Sequence, residues 1–292
     1  MKNSIVVIVL VFLLSCQSNQ KKKNDLDKVD SVSLTINQLA DSLLNARHNH
    51  IQTDILSRHI SNLETSNAYD IQFKMLERER QSGAKLVGWK LGGTATADST
   101  KYNPSLGYIL DNNLVSNKGS IPVNQFPGGS VVVEAEIGFV LKNDIRNPVS
   151  STEELITYID YVVGVSEIAQ STAIPGSETP LHINYVVASG MGHVAAIKGN
   201  VNLPVSGFDF KNETAKCYIN DELVAEGVSS NIFGSPIGVL YDTLNMLVET
   251  GQYPKSGDMI ITGSLYKNPV LNATANIRIE FSNLGTISFK SF

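Results

Sequence analysis

The run VVVEAEIGFVL, Val131 to Leu141, is apolar, rich in β-branched residues and of strand length, and it carries two carboxylates, Glu134 and Glu136, two positions apart. Successive side chains of a strand point to opposite faces. Glu134 and Glu136 therefore share a face with Val132 and Gly138, while Val133, Ala135 and Ile137 look the other way. Two ionised carboxylates this close in a half-buried sheet repel each other unless one is protonated or a cation holds both, because unpaired buried charge is expensive. A hard divalent metal resolves that conflict. The plainer reading, an exposed strand face whose glutamates pair with lysines, is weakened by the rest of the chain.

Two flanking segments supply further ionisable groups. Upstream, AKLVGWKLG (Ala84 to Gly92) reads as a strand with Leu86, Gly88, Lys90 and Gly92 on one face and Val87, Trp89 and Leu91 on the other. Lys90 sits among apolar residues and glycines that admit a ligand closely, so it is a candidate for a depressed pKa or for holding an anion. A lysine guarding a sheet edge is the competing explanation. Downstream, YVVGVSEI (Tyr161 to Ile168) is a buried strand in which Glu167 shares a face with Tyr161, Val163 and Val165. With this third strand carboxylate a metal site becomes the favoured reading.

The other segments predict an α+β chain, mostly strands. Leu34, Ile36, Leu39, Leu43 and Leu44 recur at helical spacing, giving one or two amphipathic helices between Ser33 and Ile60. The three histidines there, His48, His50 and His59, share no helical face and read as surface residues. A helix over Ala68 to Arg80, capped by Ser66 or Asn67, ends at Gly83. SLGYILD (Ser105 to Asp111) is a strand closing on an aspartate, and Ser151 with Glu154 forms a capping box opening a helix to about Ile159. Ala169 to Ile183, rich in Ser, Thr, Pro and Gly, reads as a functional loop with His182 at its end. Later come a hairpin turn at Asn220-Asp221, a helix from Ile237 to Thr250, a strand entering a small-residue loop at Met259 to Ser264, and two alternating strands, Thr274 to Phe281 and Thr286 to Phe289.

With 292 residues, 42% of them hydrophobic and 17% charged, and a net charge of -5, the chain can bury a large core and lacks the basic footprint of a nucleic-acid binder. The first residues stand apart. Lys2, the apolar run Ile5 to Leu14, and Leu13-Leu14-Ser15-Cys16 form an export signal too short to span a bilayer, which takes about 20 residues. The segment resembles a bacterial lipoprotein signal with LLSC as lipobox. That resemblance implies lipidation of Cys16 and membrane contact through the N-terminal lipid anchor only. The exported protein would face the periplasm, with Gln17 after Cys16 suiting the outer membrane. The expected organisation is a signal peptide at 1–16, a flexible polar tether at 17–32, a helical segment at 33–83 and the principal domain at 84–292. Cys217, the other cysteine, has no internal partner once Cys16 is lipidated, and its apolar setting predicts a buried thiol.

From Ala68 to its end the chain resembles the 2-keto-4-pentenoate hydratase branch of the fumarylacetoacetate hydrolase superfamily. The matching stretches, in family order, are Ala68-Tyr69 with Ile71-Gln72, Val87 to Gly92, Gly107 to Asp111, Val133 to Ile137, Glu167, Gly234 with Pro236, and Gly257-Asp258 through Thr262-Gly263. The resemblance implies a mostly β sheet rolled into a barrel-like core, helices outside it, and assembly as a homo-oligomer. It implies Mg2+ or Mn2+ on Glu134, Glu136 and Glu167. It places Lys90 in substrate contact and proton transfer, its pKa lowered by cation and burial, with Asp111 nearby. Ser189, Thr262, Gly263 and Ser264 would contact the substrate.

The implied activity is water addition to an unsaturated 2-oxo acid of the kind met in aromatic catabolism. A 2-oxo acid decarboxylase, an acylpyruvate carbon-carbon hydrolase and a non-catalytic lipoprotein binding a small acid are the alternatives. Val186 and Val187 stand where the hydratase branch carries aspartate and asparagine before an Ala-Ser pair, here Ala188-Ser189. His182 or His193 could replace them as acid or base, against a purely structural role for each.

Overall fold

The computed structural model describes residues 36–51, 53, 55–56, 63–95, 102–126, 129–170 and 182–292. Cys16, the tether, His59 and most of the loop before His182 lie outside the described residues. In chain order the helices are α1 (residues 36–48), α2 (Thr65–Gln81), α3 (Thr152–Ile156), α4 (Ile183–Ala188) and α5 (Pro236–Glu249). The strands are β1 (Leu86–Gly92), β2 (Ser105–Leu110), β3 (Leu114–Val115), β4 (Ser120–Ile121), β5 (Val131–Leu141), β6 (Ile159–Gln170), β7 (His193–Leu203), β8 (Thr214–Ile219), β9 (Glu222–Val228), β10 (Met259–Ile261), β11 (Val270–Leu271), β12 (Ala275–Phe281) and β13 (Thr286–Ser291).

β5 lies at the middle of a mixed sheet ordered β2-β1-β10-β5-β6-β7-β3, with β11 also on β5; a second sheet runs β4-β13-β12-β8-β9. The two faces of β5 explain the arrangement. Val131, Val133, Ala135, Ile137, Phe139 and Leu141 are buried in the main core with Ile277, Ile279, Phe281 and Ile287 of the second sheet and Val239, Leu240 and Leu244 of α5. Each such side chain contributes about 1.5–3 kcal/mol by leaving water. The opposite face holds the glutamates and then a small apolar cluster of Val140, Val163, Val165, Met259 and Ile261. A sheet covered on both faces gives the near-continuous apolar runs of β5 and β6.

β1 departs from strict alternation. A bulge between Leu86 and Gly88 sends Val87 to the glutamate-side cluster and Leu86 to the main core, reversing the faces read for those two residues. Lys90 keeps its expected face. β1 pairs in parallel with β10, across a sequence gap that no local pattern reveals.

The helices differ in detail from their reading. α2 begins at Thr65 after Glu64, with no side-chain cap, rather than after Ser66 or Asn67. Ser151 does cap α3, but Glu154 reaches the amide and hydroxyl of Ser150 instead of closing a box, and the helix stops at Ile156. α4 was unforeseen because Tyr-Val-Val favours strands. Its Val186, Val187 and Ala188 pack with Leu39, Leu43 and Leu44 of α1 and Ile71 and Met75 of α2 in a separate helical core. Asn220 and Asp221 both take left-handed φ, 50° and 66°, and turn β8 into β9 as read. Cys217 is a buried free thiol.

Candidate metal centre

The antiparallel register of β5 and β6 sets Glu134 directly opposite Glu167 and Glu136 opposite Val165. One carboxylate oxygen from each of Glu134, Glu136 and Glu167 lies within 4.8 Å of the others. Each of the two fully buried glutamates has one oxygen tethered and one left over. Glu136 Oε2 accepts the Gly263 amide at 2.6 Å, and Glu167 Oε1 accepts His193 Nδ1 at 2.8 Å and the Lys90 ammonium at 3.1 Å. Glu136 Oε1 and Glu167 Oε2 are buried and receive no hydrogen bond among the described residues. Buried polar atoms without partners are rare in folded proteins. A proton or a cation is what those oxygens call for, and three hard carboxylate ligands suit Mg2+ or Mn2+.

The protonation states follow from the same crowding. Burial, then the charges of Glu167 and Glu134, push Glu136 well above the ordinary carboxylate range. Burial and Glu167 raise Glu134 to about 7, with Lys90 and a hydrogen bond from Asn268 pulling the other way. Glu167 is the ionised member: burial opposes its charge, but Lys90 and His193 overcome it and hold its carboxyl down at about 2. For Lys90, burial lowers the pKa, yet the charges of Glu167, Glu134 and Glu136 outweigh it and the net direction is upward. The lowered value expected from the sequence does not hold while the carboxylates alone surround it.

Small residues make the room. A Cβ on Gly107 would lie 2.9 Å from Lys90 Cδ, so β2 must carry glycine where the lysine stem passes. β10 ends at Ile261, and the chain turns out through Thr262 and Gly263 beside Glu136. Gly263 has φ +107°, and a Cβ there would fall 1.9 Å from Thr94 Oγ1, itself donating to the Thr262 carbonyl at 2.8 Å. A cavity of about 590 Å³ opens onto the centre, lined by Lys90 and Glu134, by Gly263, Ser264 and Asn268, and by Ile183 and Val186 of α4 and Met191 of the turn after it.

The chain matches no protein-family model. It is 25% identical over 226 residues to 4-oxalocrotonate decarboxylase of Pseudomonas putida, covering 76% of this chain and 84% of that one. It is 22% identical over 258 residues to 2-oxo-hept-4-ene-1,7-dioate hydratase of Escherichia coli, covering 86% and 95%. The solved structure of 4-oxalocrotonate decarboxylase from Pseudomonas putida G7, complexed with magnesium and adipate, superposes with a TM-score of 0.81 at 23% identity over 89% of this chain and 98% of that one. The fold is that of 4-oxalocrotonate decarboxylase. This bears out the mostly β, rolled α+β architecture expected from the sequence.

On this fold the structure gathers Lys90, Glu134, Gly263 and Ser264 around one cavity, with Glu136 and Glu167 fully buried beside Glu134, and places the other candidates elsewhere. Asp111 is exposed, and its Oδ1 accepts the amides of Lys85 and Asn112, so it ties the β1 and β2 ends instead of standing near Lys90. The Ser189 hydroxyl is spent on the Val186 carbonyl at 3.0 Å and its own carbonyl accepts Arg47 at 2.6 Å; it does not border the cavity. Thr262 is buried behind the wall, its hydroxyl 3.4 Å from the Ile137 carbonyl. His182 is exposed and caps α4, accepting the Asn184 amide. His193, weighed in the sequence as a substitute acid or base against a structural role, lies on Glu167 itself. Asn268, which no local signal marks, hydrogen-bonds Glu134.

Proposed function

We propose that this protein is a divalent-cation-dependent lyase acting on an unsaturated 2-oxo acid. The observation that carries the reading is the trio of Glu134, Glu136 and Glu167, the last two with buried oxygens that find no partner among the described residues, beside a cavity lined by Glu134 and Lys90. Glu134, Glu136 and Glu167 would hold Mg2+ or Mn2+. Such a cation, when bound, would draw electron density from the carboxylate and 2-oxo oxygens of the substrate and so favour its enol chemistry. The chain's own residues do the rest. Lys90, anchored on Glu167 and kept in place by the small residue at Gly107, would move a proton to or from the substrate carbon chain from a fixed position. Gly263 and His193 keep the tethered oxygens of Glu136 and Glu167 from turning away.

Water addition is the reaction named for the hydratase relative, and decarboxylation that of the other relative. The apolar lining residues Ile183, Val186 and Met191 favour decarboxylation as the second reading, because none of these three side chains can hold an attacking water. Export and lipid anchoring at Cys16, the division at about residue 84, and homo-oligomeric assembly are part of the same proposal, on the sequence features given above. No helix among the described residues is long and apolar enough to cross a membrane.

The test follows ultraviolet loss of a 2-hydroxy-dienoate with and without Mg2+, beside Glu136→Ala. Cation-dependent loss that disappears in the variant supports the reading, and product analysis separates hydrate from carbon dioxide. Cation binding with no consumption of any 2-oxo acid would instead support the small-acid-binding alternative.

A further inference from the structure

We infer that His193 is a positioning residue for the metal centre, holding Glu167 so that one carboxylate oxygen is occupied and the other is presented to the cation. The inference rests on the metal-dependent reading above. His193 is 8% exposed, and its Nδ1 lies 2.8 Å from Glu167 Oε1. An ionised carboxylate only accepts, so the ring nitrogen facing it carries the hydrogen. Lys90 reaches the same oxygen at 3.1 Å, and the two donors leave Glu167 Oε2 buried with no hydrogen-bond partner among the described residues.

This contact comes from a feature of the sheet, not from simple alternation. Regular pairing would continue from Glu167 opposite Ala196 and Ile168 opposite Ala195 to Ala169 opposite Val194. The register shifts there, and Ala169 instead pairs with His193. One extra residue on β7 therefore turns His193 onto the face of Glu167, where an unbulged strand would put Val194. The turn before it reinforces the placement: Gly190, Met191 and Gly192 all take left-handed φ, and the Gly192 carbonyl accepts the Gln170 amide at 2.8 Å. Lys90 also donates to the Met191 carbonyl, at 3.5 Å, so the turn that delivers His193 touches the lysine as well.

A ligand carboxylate free to rotate must be ordered when the cation arrives, and removing an outer hydrogen bond of this kind typically weakens metal binding by 10–100-fold. Asparagine can set an amide donor near the place of His Nδ1, whereas phenylalanine keeps ring bulk without a donor. The experiment measures Mn2+ affinity of the full chain, stripped with a chelator, by electron paramagnetic resonance of free Mn2+, with thermal melts of the metal-free proteins as folding control. The expected result is a His193→Phe dissociation constant about 10–100-fold above wild type, with His193→Asn within about threefold of it. If His193→Phe does not fold, His193→Ala takes its place with the same criteria. Equal affinity in wild type and the donorless variant overturns the inference alone, as does equal weakening in both variants. A wild-type chain that binds no Mn2+ overturns the metal-dependent reading and this inference with it.

Discussion

Loading the centre with a cation must expel protons, and the number is set by the protonation states of the three glutamates. In the metal-free protein Glu167 is already ionised at pH 7, its carboxyl held at about 2, while burial and the charges of Glu167 and Glu134 hold Glu136 well above the ordinary range. Glu134, raised to about 7, is half protonated. Carboxylate ligands bind in the deprotonated form, so cation binding expels about half a proton from Glu134 at pH 7, the raised Glu136 carboxyl adds to that release, and the Glu134 share falls as pH rises. Calorimetry of Mn2+ binding in two buffers of different ionisation enthalpy reads this number directly. Glu134→Gln should lower it by about half a proton at pH 7, and Glu136→Gln should lower it as well, in the direction its raised carboxyl dictates. A binding enthalpy independent of buffer at pH 7 would refute the raised carboxyls assigned to Glu134 and Glu136.

The same states fix a pH dependence of stability without metal. Glu134 has a folded value of about 7 against an ordinary 4.5, so its contribution is complete below about pH 4.5 and is lost as pH rises through 7, about 3 kcal/mol in all; thermal melts of the metal-free protein should fall from pH 5 to pH 8, and a rise would contradict it. Lys90→Met should cut turnover at least about 100-fold, by steady-state kinetics, and leave buried Glu167 short of its cation, costing the metal-free fold about 3–5 kcal/mol in urea titration. Gly88→Ala puts a Cβ 2.0 Å from the Met259 carbonyl oxygen, backbone against backbone, so β1 and β10 must part; a loss of more than about 3 kcal/mol in the same titration is expected. Arg47→Ala loses bonds of 2.6 Å to the Tyr108 hydroxyl and to the Ser189 carbonyl, about 1.5–3 kcal/mol each, and Arg47→Lys should recover no more than about half, since an ammonium lacks the fork that spans both.

Much of the centre was legible in the sequence because its geometry is local. Glu134 and Glu136 need only the two-residue period of one strand to share a face, and Glu167 needs only the same period in the next. Antiparallel pairing of β5 with β6 then brings Glu134 onto Glu167. What no period could show is where a strand breaks step. The β7 bulge that aims His193 and the β1 bulge that turns Val87 are both single-residue offsets, invisible to alternation and decisive for which face a side chain takes. The tie between Gly263 and Glu136 spans 127 positions and depends on β10 ending after three residues. Asp111 misled for the opposite reason. It follows a strand that passes Lys90 at Gly107 and runs on past Leu86, and its carboxylate is consumed by amides beside it, local hydrogen bonding competing with any longer-range role.

The two valines before Ala188 looked like one departure in the sequence, and the structure separates them. Val186 borders the cavity, and its apolar side chain offers no polar hold to what enters there. Val187 is 1% exposed in the helical core, its carbonyl accepting Gln72 Nε2 at 2.6 Å, the same amide that donates to the Leu106 carbonyl at 2.9 Å. Gln72 thus pins α4 and β2 to α2, and Val187 serves the seat of the helical layer against the sheet. A polar side chain buried at 187 without a partner would cost about 1–3 kcal/mol, whereas one at 186 could reach the cavity and its contents. A carboxylate placed at 186 alone is therefore the change that would test the proposed water addition, and an amide placed at 187 alone bears on whether α4 stays docked.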